Sequence, residues 1–182
     1  APVTAPKAAP VAKKNELSIP VGAGSGTVLS KTSTDYAKGA VDTVLYTGVR
    51  YHHDRLRFFF DVAALGSHVD FLPRGTADKG FVFITGVDVG YDIGKRVTVG
   101  GGAWYGLTRA LLDDQAYNAT NGAGVDLRIC YDLGQLELCV KGGPGGGVTA
   151  QPGRIGLLNK APIDPIGLAL ATLRIRIPIK SW

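Results

Sequence analysis

A chain of 182 residues with 20 basic and 15 acidic side chains, 26 glycines, no methionine and two cysteines is long enough for one domain with a sizeable core, and too short for two. No stretch approaches the roughly 20 uninterrupted apolar residues of a spanning helix, which argues against a helical inner-membrane protein. The formal net charge of +5 is scattered singly through alternating segments and forms no stripe or motif, so nucleic acid is not an expected partner.

Residues 1–16 hold three prolines and the lysines Lys7, Lys13 and Lys14, with nothing to bury. They read as a flexible or extended tail. The chain opens on Ala, and its first 14 residues are Ala, Pro, Val and Lys with one Thr, the pattern of an exported protein whose signal peptide has been removed.

From Leu17 to the end, eight strand-like segments are expected, over about 17–30, 40–51, 55–68, 81–91, 96–108, 122–132, 135–148 and 164–179. Each is long enough to cross an apolar layer as a tilted strand. The connections alternate in length: short turns at 52–54, 92–95 and 133–134, longer polar loops at 31–39, 69–80, 109–121 and 149–163. Tyr51, Tyr91 and Tyr131 stand forty residues apart, each closing an alternating apolar run just before a short turn. Repeated hairpins with an aromatic ring at the short-turn end suit a membrane interface.

The two faces of the segments differ. Leu56, Phe58, Phe60, Val62 and Ala64 oppose Arg57, Phe59, Asp61 and Ala63; Val125, Leu127, Ile129 and Tyr131 oppose Asp126, Arg128 and Cys130; Leu173, Ile175, Ile177 and Ile179 oppose Thr172, Arg174 and Arg176. A membrane barrel turns the apolar face outward, whereas a soluble lipocalin-like barrel would turn it inward around an apolar ligand. Gly86, Gly90, Gly106 and the run Gly100–Gly102 lie on or near the polar face and favour the membrane alternative, because the crowded inside of an eight-strand barrel needs thin walls.

Strand length, alternating loops, Tyr-Asp turns and the closing Trp182 resemble the small eight-stranded outer-membrane proteins of the OmpA and OmpX type, over residues 17–182. The resemblance implies an all-β, antiparallel up-and-down transmembrane barrel, with both termini in the periplasm. It implies outer-membrane lipid and lipopolysaccharide as surroundings, with Tyr51, Tyr91, Tyr131 and Trp182 as interface aromatics. The group usually ends on an aromatic residue in phase with the apolar row before it. Here Ile175, Ile177 and Ile179 are out of phase with Trp182, and Pro178 marks a bulge or an edge near the seam.

The charges assigned to the lumen are Asp42, Arg50, Arg57, Asp61, Asp88, Asp126, Arg128, Glu137, Lys141, Arg174 and Arg176. Such a set persists inside a barrel only when paired, and would plug it. The alternative is a narrow conduit with Arg57, Asp88, Arg128, Arg174 and Arg176 as its filter. Cys130 and Cys139 lie on one hairpin, both inward. A turn centred on Gly134–Gln135 sets them opposite one another, ready for a disulfide; one centred on Leu133–Gly134 pairs Asp126 with Lys141 instead, which is electrostatically better.

No catalytic site, metal site or cofactor is expected. His52 and His53 sit in a turn, Ser67 and His68 point to opposite strand faces, and the cysteines form no CxxC. The glycine-rich pieces 22–26 and 142–147 lack the Lys-Ser/Thr ending of a phosphate loop. The expected role is structural, adhesive or interactive, through the outer loops and through residues 1–16 toward a periplasmic or envelope protein.

Overall fold

The computed structural model describes residues 15–30, 42–64, 67–71, 75–112, 115–150 and 163–182. Nine strands fill them: β1 (Asn15–Ser30), β2 (Asp42–His53), β3 (Leu56–Ala64), β4 (Ser67–Phe71), β5 (Gly75–Ile93), β6 (Val97–Leu112), β7 (Gln115–Asp132), β8 (Leu136–Ala150) and β9 (Asp164–Ser181). All pairings are antiparallel. β3 and β4 both lie against β5, β3 along Phe83–Tyr91 and β4 along Gly75–Gly80, so they fill one place in the wall. β1 pairs with β9, and the sheet is a closed eight-stranded barrel.

Cα partners followed once round the wall run from Leu17 through Tyr51, Phe58, Val89, Gly101, Leu127, Gly142 and Ala169 back to β1 at Thr27, ten residues higher. That stagger tilts the strands by about 40° and leaves an interior that side chains can fill.

The short turns have local causes. Asp54 adopts a positive φ of 52° in the two-residue link between His53 and Leu56, so β2 continues through His52 and His53 instead of turning there. Gly94 and Gly134 take positive φ in the next two short turns, where a side chain would be strained. At the other end the strands outrun the expected segments. Residues 69–80 and 109–121 were expected as loops, yet β4 pairs with the start of β5, and β6 pairs with β7 as far as Leu112 and Gln115. The sequence loses its alternation there, while backbone pairing continues with a register shift in each pair, at Ser67/Val69 and at Ala110/Leu111. The expected loop at 31–39, residues 151–162 of the loop expected at 149–163, and the tail through Lys14 lie outside the described residues.

The apolar rows point outward on every part of the wall whose side chains are described. Leu45, Phe60, Val87, Val125, Leu127, Val140 and Ile175 are each half or more exposed. The charged rows point inward, which rules out the lipocalin-like arrangement. The interior nevertheless contains more than glycine and charge. Its loop-side half is an apolar layer of Val44, Tyr46, Ile84, Trp104, Ile166, Leu168 and Leu170. The wall thins where this layer needs room: a Cβ on Gly145 would lie 2.8 Å from the Trp104 ring, and one on Gly122 would collide with Ile166.

The seam resolves the phase of Trp182. Leu17 pairs with Lys180 and Ser18 with Pro178, leaving Ile179 as an extra residue in β9. This bulge moves the following residues by one place and returns Trp182 to the outer face, stacked on Tyr51 with ring centroids 6.1 Å apart. Asn15 and Trp182 exchange backbone hydrogen bonds of 3.2 Å in both directions. Insertion of one alanine between Lys180 and Ser181 is expected to turn Trp182 toward the lumen and cost about 1–2 kcal/mol through the lost aromatic stack and seam packing. Urea unfolding of the refolded barrel checks this, and adding Trp182→Ala to the insertion should cost little more.

Candidate functional site

The turn-side half of the lumen is a cluster of ionised side chains contributed by most of the wall. Its upper group joins β3, β5, β7 and β8. Arg128 meets Asp61 and lies 2.6 Å from Asp88; Lys141 Nζ lies 2.8 Å from Asp88, 3.1 Å from Asp126 and 3.5 Å from Asp61. The Tyr46 hydroxyl also donates to Asp61. Gly86 admits the lysine: a Cβ there would be 2.7 Å from its Nζ.

The lower group centres on Glu137, which takes Arg50 at 2.5 Å and Arg57 at 3.1 Å. Arg57 extends the chain of charges to Asp92 at 2.6 Å and Asp132 at 3.8 Å. Arg176, half-buried at the turn-side mouth, reaches Asp132 at 3.3 Å and Glu16 at 3.6 Å. Between the groups, Arg174 lies flat over Tyr46 at 3.6 Å and donates through Nε to Thr172, while Arg128 lies over Phe59 at 4.4 Å.

Ten of the eleven assigned charges are thus brought together; the side chain of Asp42 lies outside the described residues. Sequence reasoning passed over Asp92 and Asp132, taken there as turn formers, and over Glu16, Tyr46 and His52. His52 is half-buried with its Nε2 3.1 Å from Asp92, which also accepts a hydrogen bond from Thr98. The available signal was phase: Asp92 is two places after Gly90, and Asp132 two after Cys130, each on its inward row.

Cys130 stands directly opposite Cys139, and the two form a disulfide. The register is therefore the one centred on Gly134–Gln135. It sets Arg128 beside Lys141, like charges on neighbouring strands. The electrostatic preference for pairing Asp126 with Lys141 in register misjudged this hairpin, because the compensating carboxylates Asp61 and Asp88 come from across the lumen. Lys141 still reaches Asp126 diagonally. A covalent link closing so short a loop adds about 2–3 kcal/mol in the chain-entropy view. Glu137 packs close to the two sulfurs. Both are consumed by the disulfide, so this trio offers no thiolate pair to a metal ion.

Outside, the turn end carries the aromatics. Tyr51 stacks on Phe58 and on Trp182. Arg55 Nη1 donates to the Tyr91 hydroxyl at 3.2 Å and Arg96 Nη1 to that of Tyr131 at 3.4 Å, so two turn arginines each grip the interface tyrosine of a neighbouring strand. That bond raises both guanidinium groups above their ordinary value, and they stay cationic.

A closed antiparallel barrel of eight strands, apolar outside and charged within, has the architecture of the small outer-membrane barrels. No family model matches the chain, and no curated protein matches it. Solved structures similar to it include Neisserial surface protein A, with 14% identity, a TM-score of 0.49, and coverage of 87% of this chain and 96% of that one. Ail, the attachment invasion locus protein of Yersinia pestis, solved with the heparin analogue sucrose octasulfate, has 13% identity, a TM-score of 0.48, and coverage of 90% and 99%. The outer membrane protein OprG from Pseudomonas aeruginosa has 12% identity, a TM-score of 0.48, and coverage of 91% and 96%.

The charge cluster makes a direct prediction. Asp88→Asn leaves Arg128 and Lys141 under-compensated and is expected to cost about 3 kcal/mol or more, whereas Asp88→Asn with Lys141→Met should recover at least half of that loss. A double-mutant cycle by urea unfolding in lipid vesicles measures both.

Proposed function

We propose that the protein spans the outer membrane of a Gram-negative bacterium as a non-enzymatic barrel with a plugged lumen, its short turns and both termini on the periplasmic side. Its role is structural, adhesive or interactive, exercised by the hairpins on the loop side. The observation that supports this reading is what lines the interior: an apolar layer around Trp104 and Leu168 on the loop side, and below it a set of charges paired with one another. Ionised groups spent on mutual pairing support neither a catalytic centre nor an ion filter. The exposed apolar rows support a lipid surrounding, because a surface of that extent is stable in water only when covered.

Residues 1–16 belong to the same reading. Their lysines and prolines suit contact with an anionic or protein partner in the periplasm, with the barrel as the anchor of a larger envelope assembly.

Two measurements test this. Refolded in detergent, the protein should run on a gel as a compact band that boiling converts to the unfolded mobility, and the band should not form in buffer alone. In a planar bilayer at high salt the same sample should give no unitary current steps. Regular steps would overturn the plugged lumen in favour of a narrow conduit. Deletion of residues 1–14 should lower recovery of envelope proteins in detergent pull-downs, and unchanged recovery would remove the tail from the proposal.

A further inference from the structure

The outer belt is thinned at Gly101. The outward row of β6 reads Val99, Gly101, Ala103 and Tyr105, and Gly101 stands between Val89 of β5 and Leu127 of β7. One side chain is missing from the row, and a groove of about 340 Å³ opens beside it, lined by Val49, Tyr51, Phe58, Phe60, Val87 and Val89 over Gly101. The gap is enforced by the backbone, since a Cβ on Gly101 would lie 2.5 Å from the Asp126 carbonyl oxygen.

A cation lies on the turn side of the groove. Tyr51 and Phe58 flank the turn that carries Arg55, and Tyr91 follows Val89 on the outward row of β5. The Arg55 guanidinium is held there by its hydrogen bond to the Tyr91 hydroxyl. Among the described residues around these turns, Arg55, Lys95, Arg96 and Lys180 are exposed against the one exposed acid Asp54. An apolar groove on the outer face, with a positively charged turn below it, matches one chemistry: an acyl chain carrying a phosphate.

We propose that this groove and the Arg55–Tyr91 pair hold one anionic phospholipid, with an acyl chain lying along Phe58, Phe60 and Gly101 and the phosphate at Arg55. The site rests on the reading of the barrel as membrane-spanning, with the short turns at the headgroup level of one leaflet. Arg55 has two further guanidinium nitrogens beyond the one bonded to Tyr91, so it can donate to a phosphate oxygen without releasing the tyrosine. Arg96 makes the equivalent bond to Tyr131, one strand further round from the groove, and serves as an internal control.

The test uses the full chain refolded in zwitterionic detergent and titrated with dimyristoyl phosphatidylglycerol or dimyristoyl phosphatidylcholine, followed by native mass spectrometry. One phosphatidylglycerol is expected to stay on the barrel under activation that strips phosphatidylcholine. Arg55→Gln should lower its retention at least fivefold and Arg96→Gln less than twofold. Val89→Trp fills the groove with the charges unchanged, and should lower retention of both lipids. Equal retention of the two lipids, or wild-type retention by Arg55→Gln, overturns the site. Heat-dependent gel mobility shows that each variant is a folded barrel. A wild-type chain that folds in buffer alone overturns the spanning reading and the lipid site with it; a detergent-folded barrel without selective retention overturns the lipid site only.

Discussion

Arg128 and Lys141 stand side by side on β7 and β8, two buried cations in register inside the barrel. Nothing on their own hairpin neutralises both. Asp61 and Asp88 do so from β3 and β5, strands that meet β7 and β8 only after the wall has curled round. Closing the barrel and compensating its interior charge are therefore one event. An open sheet with this sequence would hold repelling cations on one hairpin and carboxylates on another. The closed form brings them within hydrogen-bonding range in a medium that strengthens their attraction. The wall glycines follow from this: Gly86 stands where Lys141 must pass, and Gly102 where a Cβ would lie 2.8 Å from an Asp88 oxygen.

The second consequence is vertical order. Glu137 with Arg50 and Arg57 forms one tier and Asp61, Asp88 and Asp126 with Arg128 and Lys141 a second, and the apolar residues around Trp104 lie on the loop side of both. The pairs beneath the apolar layer are themselves buried, so their electrostatics are less screened than those of surface pairs. Tyr46 belongs to both worlds: its ring takes the Arg174 guanidinium, and its hydroxyl donates to Asp61. Cys130 and Cys139 bind the two charge-bearing halves of one hairpin covalently in the register in which the distant carboxylates reach both cations.

Much of this was legible in the chain because period-two alternation is a property of single strands. Leu127, Ile129 and Tyr131 against Asp126, Arg128 and Cys130 declare their faces without reference to any neighbour. What was illegible depended on more than one strand. The β7–β8 register was weighed by pairs within that hairpin, where Asp126 and Lys141 look best, while the deciding partners lie on β3 and β5, two to four strands away round the wall. The apolar inner layer was missed for a different reason. In β9 the large residues change sides in mid-strand: Ile166, Leu168 and Leu170 face inward, Leu173, Ile175 and Ile177 outward. A pattern whose phase reverses has no single apolar face, and the change occurs where the lumen passes from apolar to charged. The outer hairpins were read as loops because backbone pairing does not require alternation, and the sequence there offers no rhythm to detect.

The bulge at Ile179 shows how a break in alternation can serve it. Read strictly by twos, Trp182 falls on the row of Arg174 and Arg176 and would be driven into the polar mouth of the lumen. One unpaired residue after Pro178 returns it to the row of Ile175 and Ile177, against Tyr51. Proline suits the place, since it cannot donate to the ladder and its neighbourhood is where pairing is already irregular. The seam between the first and last strands is the final pairing any closed barrel must make, and the one with no covalent hairpin to guide its register. Fixing an aromatic there, where it can stack on Tyr51 and lie under the Lys180 ammonium, gives that register an energetic preference that backbone hydrogen bonds, alike at every offset of two, do not supply.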